Sequence, residues 1–269
     1  MPIAKQTKKL GLALGSGAFR GFAHIGVIKS LVKNGIKINY ISGSSIGAWV
    51  AAYYALFQDV EQLKKDLTEN PKDNFLMLLD PTASGGLISG AKFYSYLKKS
   101  LQNKTFADTK IPLTILTTDL NSGSPHVFST GELALAVRAS TSIPILFKPV
   151  PFEDKLLVDG GLSNPIPGKL LKDQGADVVI GANLYHKNEF IKDKFSMTRI
   201  ALRSARIGLY NLAQADLQFC DVKIAMDISA YEQESNLSKY FTKSIAEQII
   251  KIGEEATDKL IPEIKLMLK

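Results

Sequence analysis

The most constraining feature of the sequence is the stretch of residues 41–47, which reads I-S-G-S-S-I-G between a strand-like run and an apolar, helix-like run. Gly43 and Gly47 flank Ser45 in the spacing Gly-x-Ser-x-Gly. A nucleophile elbow needs this spacing because side chains at the two flanking positions would collide with neighbouring backbone. The turn lifts the serine hydroxyl out of the sheet, beside the positive end of the next helix. The alternative interpretation is a glycine- and serine-rich turn without chemistry.

A second glycine-rich turn lies nearer the N-terminus. The apolar run of residues 10–14 is typical of a strand buried on both faces, and residues 15–21, G-S-G-A-F-R-G, follow it before a helical pattern begins at Phe22. Such a loop exposes backbone N–H groups at a helix N-terminus, which is an anion-binding arrangement. The anion can be a nucleotide pyrophosphate or the oxyanion of an acyl-transfer intermediate.

Two details of this loop argue against a nucleotide. The sixth position of the dinucleotide motif is Arg20 and the glycine is delayed to Gly21, while the next strand ends in the serine elbow and not in an acidic ribose ligand. The loop also lacks the Lys-Ser/Thr pair of an ATP- or GTP-binding loop. Nucleotide binding therefore stays a minor alternative, which thermal stabilisation by added nucleotide would test.

Strand-like and helix-like segments alternate along the chain, which predicts an α/β fold with a mainly parallel central sheet and helices on both faces. The predicted strands are residues 10–14, 36–41, 113–120, 126–128, 156–158, 178–182 and 222–228. The first predicted helix begins near residue 22. The others span residues 48–57, 60–68, 92–101, 133–139, 165–171, 197–219 and 240 to the end.

Length and composition place this fold in one domain of 269 residues, with a formal net charge of +7. The positive charge favours anionic surfaces in general and by itself identifies neither a membrane nor a nucleic acid. The single cysteine, Cys220, excludes an intrachain disulfide and a cysteine zinc cluster. Since we see neither a secretion signal nor an apolar run long enough to span a bilayer, we expect a cytoplasmic protein that can contact a membrane peripherally.

Three predicted strand ends carry unusual chemistry, and functional residues gather at the carboxyl ends of strands in open α/β sheets. They are the glycine loop, Ser45, and Asp159 after the strand of residues 156–158. Because a serine hydroxyl needs a base, the residues allow a Ser45–Asp159–His186 triad or a Ser45–Asp159 dyad. The triad has the chain order of the α/β-hydrolase fold, but that fold usually places its elbow after several strands, whereas here only two predicted strands precede it. The dyad needs fewer coincidences. His24 is interpreted as a packing or capping residue.

Taken in order, these motifs resemble the patatin-like phospholipase family, in particular its small bacterial single-domain members. The resemblance rests on Gly15-x-Gly17-x-x-Arg20-Gly21, Gly43-x-Ser45-x-Gly47 and Asp159-Gly160-Gly161, and extends to Ala139–Pro144 and to Asn164–Pro167. It covers most of residues 9–182. The C-terminal helices match only in pattern, so we expect a single domain over 1–269 with a motif-bearing core of about 9–182 and a helical extension of about 197–269.

The resemblance implies a three-layer α/β/α fold and a lipid acyl hydrolase that uses no metal and no nucleotide. Ser45 then matches the nucleophile and Asp159 the base. The loop residues Gly15, Ser16 and Gly17 match the oxyanion hole, although Ser16 stands where many relatives have glycine. The remaining motif residues are expected to support the site, namely Arg20, Gly21, Gly43, Gly47, Gly160 and Gly161.

The sequence therefore predicts a serine lipid acyl hydrolase of the phospholipase A or lysophospholipase type, acting on a phospholipid or another acyl-ester lipid and not on nucleic acid. The alternative is a non-catalytic protein of the same fold that binds a lipid or a partner.

Two further segments allow both an ordinary and a functional interpretation. Residues 75–90 are an ordinary loop or a flap hinged at Gly85-Gly86. Arg199, Arg203 and Arg206 share one face of a predicted helix, which is either simply solvated or in contact with anionic membrane.

Overall fold

The structure is a computed structural model that describes residues 6–68, 80–82, 85–187, 197–231 and 242–269, without the side chains of residues 198 and 199. The strands are β1 (Leu10–Leu14), β2 (Ile38–Ser44), β3 (Leu113–Asp119), β4 (Pro125–Phe128), β5 (Val150–Phe152), β6 (Lys155–Asp159), β7 (Val178–Asn183) and β8 (Val222–Ala225). The α-helices are α1 (Phe22–Lys33), α2 (Ile46–Phe57), α3 (Val60–Thr68), α4 (Ala91–Ser100), α5 (Leu133–Ser140), α6 (Gly168–Asp173), α7 (Met197–Asp216), α8 (Lys243–Asp258) and α9 (Ile261–Met267).

These strands form one sheet in the order β5-β6-β3-β2-β1-β7-β8, with β4 paired to β3. Five neighbouring strands of the sheet are parallel to one another, namely β3, β2, β1, β7 and β8. Strands β4, β5 and β6 pair antiparallel. The predicted mainly parallel sheet is therefore confirmed. Its antiparallel part follows from the short connections between β3 and β4 and between β5 and β6, which are too short for a parallel crossover.

Helices cover both faces of the sheet, because alternate residues of each strand point to opposite sides. Leu12 and its register partner Ile180 belong to the larger apolar cluster, together with residues of α1 and α2. Ala13 and Val179 belong to a second cluster that contains Leu171 of α6. The two clusters complete the layered arrangement that the alternating elements predict.

Some predicted elements differ from the observed ones. Strand β5 was not predicted, because Pro151 breaks the strand pattern there. The helix predicted from Pro165 begins only at Gly168, because Pro167 disfavours the helical conformation at the residue before it and is itself the non-helical N-cap. The apolar residues Phe75–Leu79 and the predicted helix start at residue 240 lie outside the described residues.

Residues 86–88 are attached to the loop after α5. The N–H groups of Leu87 and Ile88 donate to the carbonyls of Ile145 and Leu146. A Cβ atom on Gly86 would lie 2.7 Å from the backbone nitrogen of Lys148. This side of the proposed Gly85-Gly86 hinge is therefore held by backbone contacts, and flap opening stays a prediction.

Helix α8 packs across α1 at two glycines. A Cβ atom on Gly26 of α1 would lie 1.9 Å from the carbonyl oxygen of Ile250, and one on Gly253 of α8 would lie 1.9 Å from that of Ala23. The missing side chains let the two backbones approach each other. The predicted C-terminal extension thus shares the larger apolar cluster with α1, through Ile249 and Ile250.

Helix α7, in contrast, is exposed along most of its length. Arg206 is exposed and Arg203 half-buried, while the side chain of Arg199 is outside the described part of the chain. Membrane contact through this arginine face stays a prediction. No helix within the described ranges is long and apolar enough to cross a membrane.

Gly26→Ala is expected to lower the free energy of unfolding by about 2 kcal/mol or more, because the added methyl group meets backbone that cannot move aside. Gly208→Ala is the matched control: Gly208 lies in the exposed helix α7, and a Cβ atom added there would have no neighbour within 4 Å among the described residues. It should raise stability by up to about 1 kcal/mol. Denaturant titration measures both changes. Equal effects of the two substitutions would contradict the close packing of α1 and α8.

Candidate active site

Ser45 lies between the end of β2 and the start of α2. Its backbone has φ 55° and ψ −124°, a strained conformation that nucleophile elbows use to present the hydroxyl. A Cβ atom on Gly43 would lie 2.4 Å from the carbonyl oxygen of Gly47, and one on Gly47 would lie 2.1 Å from that of Leu14. Both flanking glycines are therefore required by close backbone contacts. Ser45 is also the N-cap of α2, so it lies at the positive end of the helix.

Ser45 and Asp159 are in direct contact. The hydroxyl of Ser45 donates to Oδ2 of Asp159 at 2.5 Å, and both residues are buried. The second carboxylate oxygen, Oδ1, accepts the N–H of Gly161 at 2.8 Å. Burial raises the pKa of Asp159 to about 6, although the hydrogen bonds from Ser45 and Gly161 act in the opposite direction. The carboxyl group is thus a stronger base than an exposed aspartate and is still ionised at neutral pH.

Strand β3 brings these two residues together. Its residue Leu116 pairs with Ser44, immediately before Ser45, in the parallel ladder. The next residue, Thr117, pairs with Asp159 in the antiparallel ladder. The ends of β2 and β6 therefore meet at successive positions of one strand.

The histidines lie apart from this contact. No imidazole stands between Ser45 and Asp159, since their side chains hydrogen-bond directly. Nε2 of His186 lies 3.7 Å from the carboxylate of Asp227. His126 stacks with aromatic residues at the edge of the sheet. Of the two arrangements that the sequence allowed, the geometry favours the dyad over the triad.

The backbone hydrogen bonds of the glycine loop bear on the predicted oxyanion hole of Gly15, Ser16 and Gly17. The N–H of Gly15 donates to the carbonyl of Ala182, and that of Ser16 donates to the carbonyl of Pro165. Neither group can therefore bind an oxyanion without losing a backbone hydrogen bond. Within the described residues, the N–H groups of Gly17 and Ala18 have no acceptor, and Ala18 is exposed. The candidate donors are thus Gly17 and Ala18.

Two buried side chains hold the carbonyls of this loop. Arg20 donates from Nε to the carbonyl of Gly17 and from Nη1 to that of Leu184. His24 lies in α1, and burial lowers its pKa to about 4, although the hydrogen bond with Gly15 acts against this change. Its ring is therefore neutral at pH 7 and donates from Nε2 to the carbonyl of Gly15 at 2.7 Å. The sequence identified the packing role of His24 and missed this contact.

Ser16, the departure from the family pattern, has a partner that the sequence did not indicate. Its hydroxyl lies 2.8 Å from the hydroxyl of Tyr185. The guanidinium of Arg20 lies 5.0 Å from the centre of the Tyr185 ring. One tyrosine from the segment after β7 thus contacts both Ser16 and Arg20 of the glycine loop.

The remaining motif glycines also stand where a side chain has no room. A Cβ atom on Gly21 would lie 2.1 Å from the side chain of Ile46, and one on Gly160 would lie 2.1 Å from the carbonyl oxygen of Leu116. One on Gly161 would lie 2.6 Å from the hydroxyl of Ser16. The three predicted motifs therefore pack against one another at the ends of their strands.

Ser140, at the end of α5, is hydrogen-bonded to the serine elbow and to β3. Its hydroxyl accepts the N–H of Ser45 at 2.8 Å and donates to the carbonyl of Leu116 at 2.6 Å. All of these groups are buried, so each hydrogen bond replaces one that water would make. The sequence identified Ser140 only as part of a resembling segment. Its role depends on contacts between distant parts of the chain and has no local signal.

Ser140→Ala is expected to slow hydrolysis at Ser45 by about tenfold or more and to destabilise the fold by about 1 to 3 kcal/mol, because two buried backbone groups lose their partner. Ser44→Ala is the matched control, since the buried hydroxyl of Ser44 has no hydrogen-bond partner among the described residues. Ester hydrolysis and denaturant titration measure the two effects. If Ser44→Ala is as damaging as Ser140→Ala, the hydrogen bonds of Ser140 do not position the elbow.

The described residues contain no group of three or more His, Cys, Asp or Glu side chains that could hold a metal ion. Independence from metal stays a prediction of the sequence.

Comparison with known proteins agrees with the motifs. A family model described as patatin-like phospholipase matches residues 12–171, which is more than half of the chain. The chain belongs to the patatin-like phospholipase family. An uncharacterized NTE family protein of Mycobacterium tuberculosis is 36% identical over 179 residues, which cover 65% of this chain and 49% of that protein. The rat patatin-like phospholipase domain-containing protein 7 is 31% identical over 67% of this chain and 14% of its own length. The patatin-like chain thus spans only 49% of the length of the mycobacterial relative.

Solved structures show the same fold at low sequence identity. VipD from Legionella pneumophila aligns with a TM-score of 0.57 and 14% identity over 97% of this chain and 67% of that chain. Human GIVD cytosolic phospholipase A2 aligns with a TM-score of 0.56 and 11% identity over 98% and 60% of the two chains. The patatin-like fold expected from the sequence is therefore confirmed.

Proposed function

We propose that this protein is a serine hydrolase of lipid acyl esters, of the phospholipase A or lysophospholipase type. The observation that carries the proposal is the 2.5 Å hydrogen bond from the Ser45 hydroxyl to the Asp159 carboxylate, within a patatin-like fold. Ser45 Oγ attacks the ester carbonyl carbon while Asp159 accepts the hydroxyl proton. The proton then passes to the leaving alcohol, and the acyl group remains on Ser45. Water, deprotonated by Asp159, cleaves this acyl-enzyme and releases the fatty acid.

The negative charge of the tetrahedral intermediate needs donors that no other group occupies. The N–H groups of Gly17 and Ala18 meet this requirement among the described residues, and Arg20 holds the Gly17 carbonyl in place. The start of α2 adds its positive dipole end beside Ser45. A single donor of this kind typically accounts for about two to three orders of magnitude in rate.

A non-catalytic protein that binds a lipid or a partner is the second candidate, because fold alone does not determine function. The close Ser45–Asp159 contact and the strained serine backbone favour catalysis, since binding requires neither. The first experiment compares hydrolysis of a short p-nitrophenyl ester by the wild type and by Ser45→Ala. Hydrolysis that depends on Ser45 supports the enzyme, and equal residual rates support the binding protein.

Asp159→Asn is expected to abolish covalent labelling by a fluorophosphonate almost as completely as Ser45→Ala, because the hydroxyl loses its proton acceptor. His186→Ala is the matched control and should keep most of the labelling, since His186 faces Asp227 and not Ser45. Labelling is measured with a fluorescent probe on protein whose folding is checked by circular dichroism. A loss in His186→Ala that equals the loss in Asp159→Asn would mean that the base has been assigned wrongly.

The raised pKa of Asp159 predicts opposite effects of pH on activity and on stability. Hydrolysis needs the carboxylate, so kcat/KM should fall about tenfold per pH unit below the pKa of about 6. The unfolded carboxyl has a pKa near 3.9, so the folded state binds the proton more tightly. The contribution of Asp159 to stability is therefore most favourable below about pH 4 and is lost as pH rises through the folded pKa.

Asp159→Asn removes this titration. The free energy of unfolding of the variant relative to wild type should rise by about 2 to 3 kcal/mol between pH 4 and pH 8. Denaturant titrations at several pH values measure the difference. A difference that does not change with pH would contradict the raised pKa.

A further inference from the structure

Two large apolar side chains are exposed on segments that are hydrogen-bonded to each other. Leu87 is 63% exposed and Ile145 is 76% exposed. They lie in different segments that are joined by backbone, since the N–H of Leu87 donates to the carbonyl of Ile145 at 3.0 Å. We call this pair the apolar tip. Single exposed apolar residues are common on protein surfaces, but an adjacent pair on a fixed support can act as one contact.

Ile145 is held in a conformation that its side chain disfavours. Its φ is 72°, in the left-handed region that β-branched residues rarely adopt. Glycine would adopt this backbone without strain. The isoleucine therefore adds strain and exposed apolar surface, and neither contributes to the stability of the free protein.

The support of the apolar tip is rigid and connects it to Asp159. Arg138 is buried, and its guanidinium donates to the carbonyls of Ser89, Gly90 and Lys148 and to the hydroxyl of Ser142. The carbonyl of Ser142 in turn accepts the N–H of Asp159. Ile145 follows Ser142 by three residues, a path of at most about 11 Å. The apolar tip thus stands on the loop that carries a backbone partner of the candidate base.

Two lysines in the segments that carry the apolar tip face solvent. Lys148 and Lys92 are exposed, and Lys148 has no carboxylate partner among the described residues. The nearby Asp80 is turned toward the protein, because its carboxylate accepts hydrogen bonds from Ser89 Oγ and from the backbone of Gly90 and Lys92. The chain as a whole carries a formal net charge of +7.

We propose that the apolar tip inserts into the surface of an anionic phospholipid bilayer, with Lys148 beside it at the level of the headgroups. This inference rests on the proposed function, since it names the bilayer as the source of the lipid ester. Insertion removes Leu87 and Ile145 from water and leaves the backbone of Ile145 unchanged. An anionic surface suits the exposed Lys148, and each basic residue near such a surface strengthens binding about fivefold. The contact places the lipid beside the loop that supports Asp159.

The test measures flotation of the 269-residue chain with vesicles of phosphatidylcholine, with and without phosphatidylglycerol. All proteins carry Ser45→Ala, so that the vesicles stay intact. Leu87→Gln together with Ile145→Gln should weaken binding by about tenfold or more. Leu266→Gln is the matched control, because Leu266 is 69% exposed in α9. Lys148→Gln should weaken binding only to vesicles that contain phosphatidylglycerol.

A second variant separates insertion from damage to the fold. Ile145→Gly removes the side chain and relieves the strained backbone, so it should raise the Tm and weaken vesicle binding. A lower Tm with weaker binding would mean that the side chain serves the fold, and the inference would be wrong. Unchanged flotation of the double variant, or an equal loss in Leu266→Gln, would also overturn it. If the double variant loses self-association and keeps flotation, the tip is a contact between copies of the chain and the inference is wrong.

The failure of this inference can be told apart from the failure of the proposed function. The tip variants with Ser45 intact should hydrolyse a soluble p-nitrophenyl ester within about twofold of wild type, because neither residue touches the reacting atoms. Ester hydrolysis without flotation of the wild type would remove the membrane contact and keep the enzyme. Flotation that depends on the tip, without ester hydrolysis, would keep the contact and remove the enzyme.

Discussion

The candidate site depends on one buried hydrogen bond, between the hydroxyl of Ser45 and the carboxylate of Asp159. A carboxylate without solvent is unfavourable, and the pKa of about 6 reflects this. The hydrogen bonds from Ser45 and Gly161 offset only part of the effect of burial. The rest of the fold must therefore hold a carboxylate that is less stable here than it would be in water. The same burial raises its basicity, which the proposed proton transfer from Ser45 requires.

The parts of the sheet explain how this contact is held. The parallel half supplies Ser45 on a turn whose Gly47 closely approaches the backbone of β1, and the antiparallel half supplies Asp159. Among the described strands, β3 alone pairs with strands of both halves, at Leu116 and Thr117. The mixed character of the sheet thus has a functional consequence, since a hairpin added to a parallel sheet places an acidic residue opposite the elbow.

In the glycine loop, hydrogen bonds to neighbouring segments determine which backbone N–H groups stay available to bind an anion. Gly15 and Ser16 use their N–H groups to attach the loop to the segments around β7 and α6. His24, Arg20 and Tyr185 then hold the loop from three sides. Among the described residues, the N–H groups of the next two residues, Gly17 and Ala18, have no acceptor. Attachment of the loop and the proposed oxyanion binding therefore fall to neighbouring peptide groups.

The sequence by itself determined the order and kind of most elements, and it predicted Ser45 and Asp159 as the residues of a dyad. This was possible because strand and helix periodicity, glycine spacing and strand-end chemistry are local properties, as residues 10–21, 41–47 and 159–161 illustrate. Only the tertiary structure decided that Asp159 touches Ser45 without a histidine between them and that Ser140 supports the elbow. It also decided that, within the described part of the chain, the loop N–H groups without an acceptor are those of Gly17 and Ala18. These features depend on hydrogen bonds between residues that are far apart in the chain, and no local pattern reports which backbone group has already found a partner.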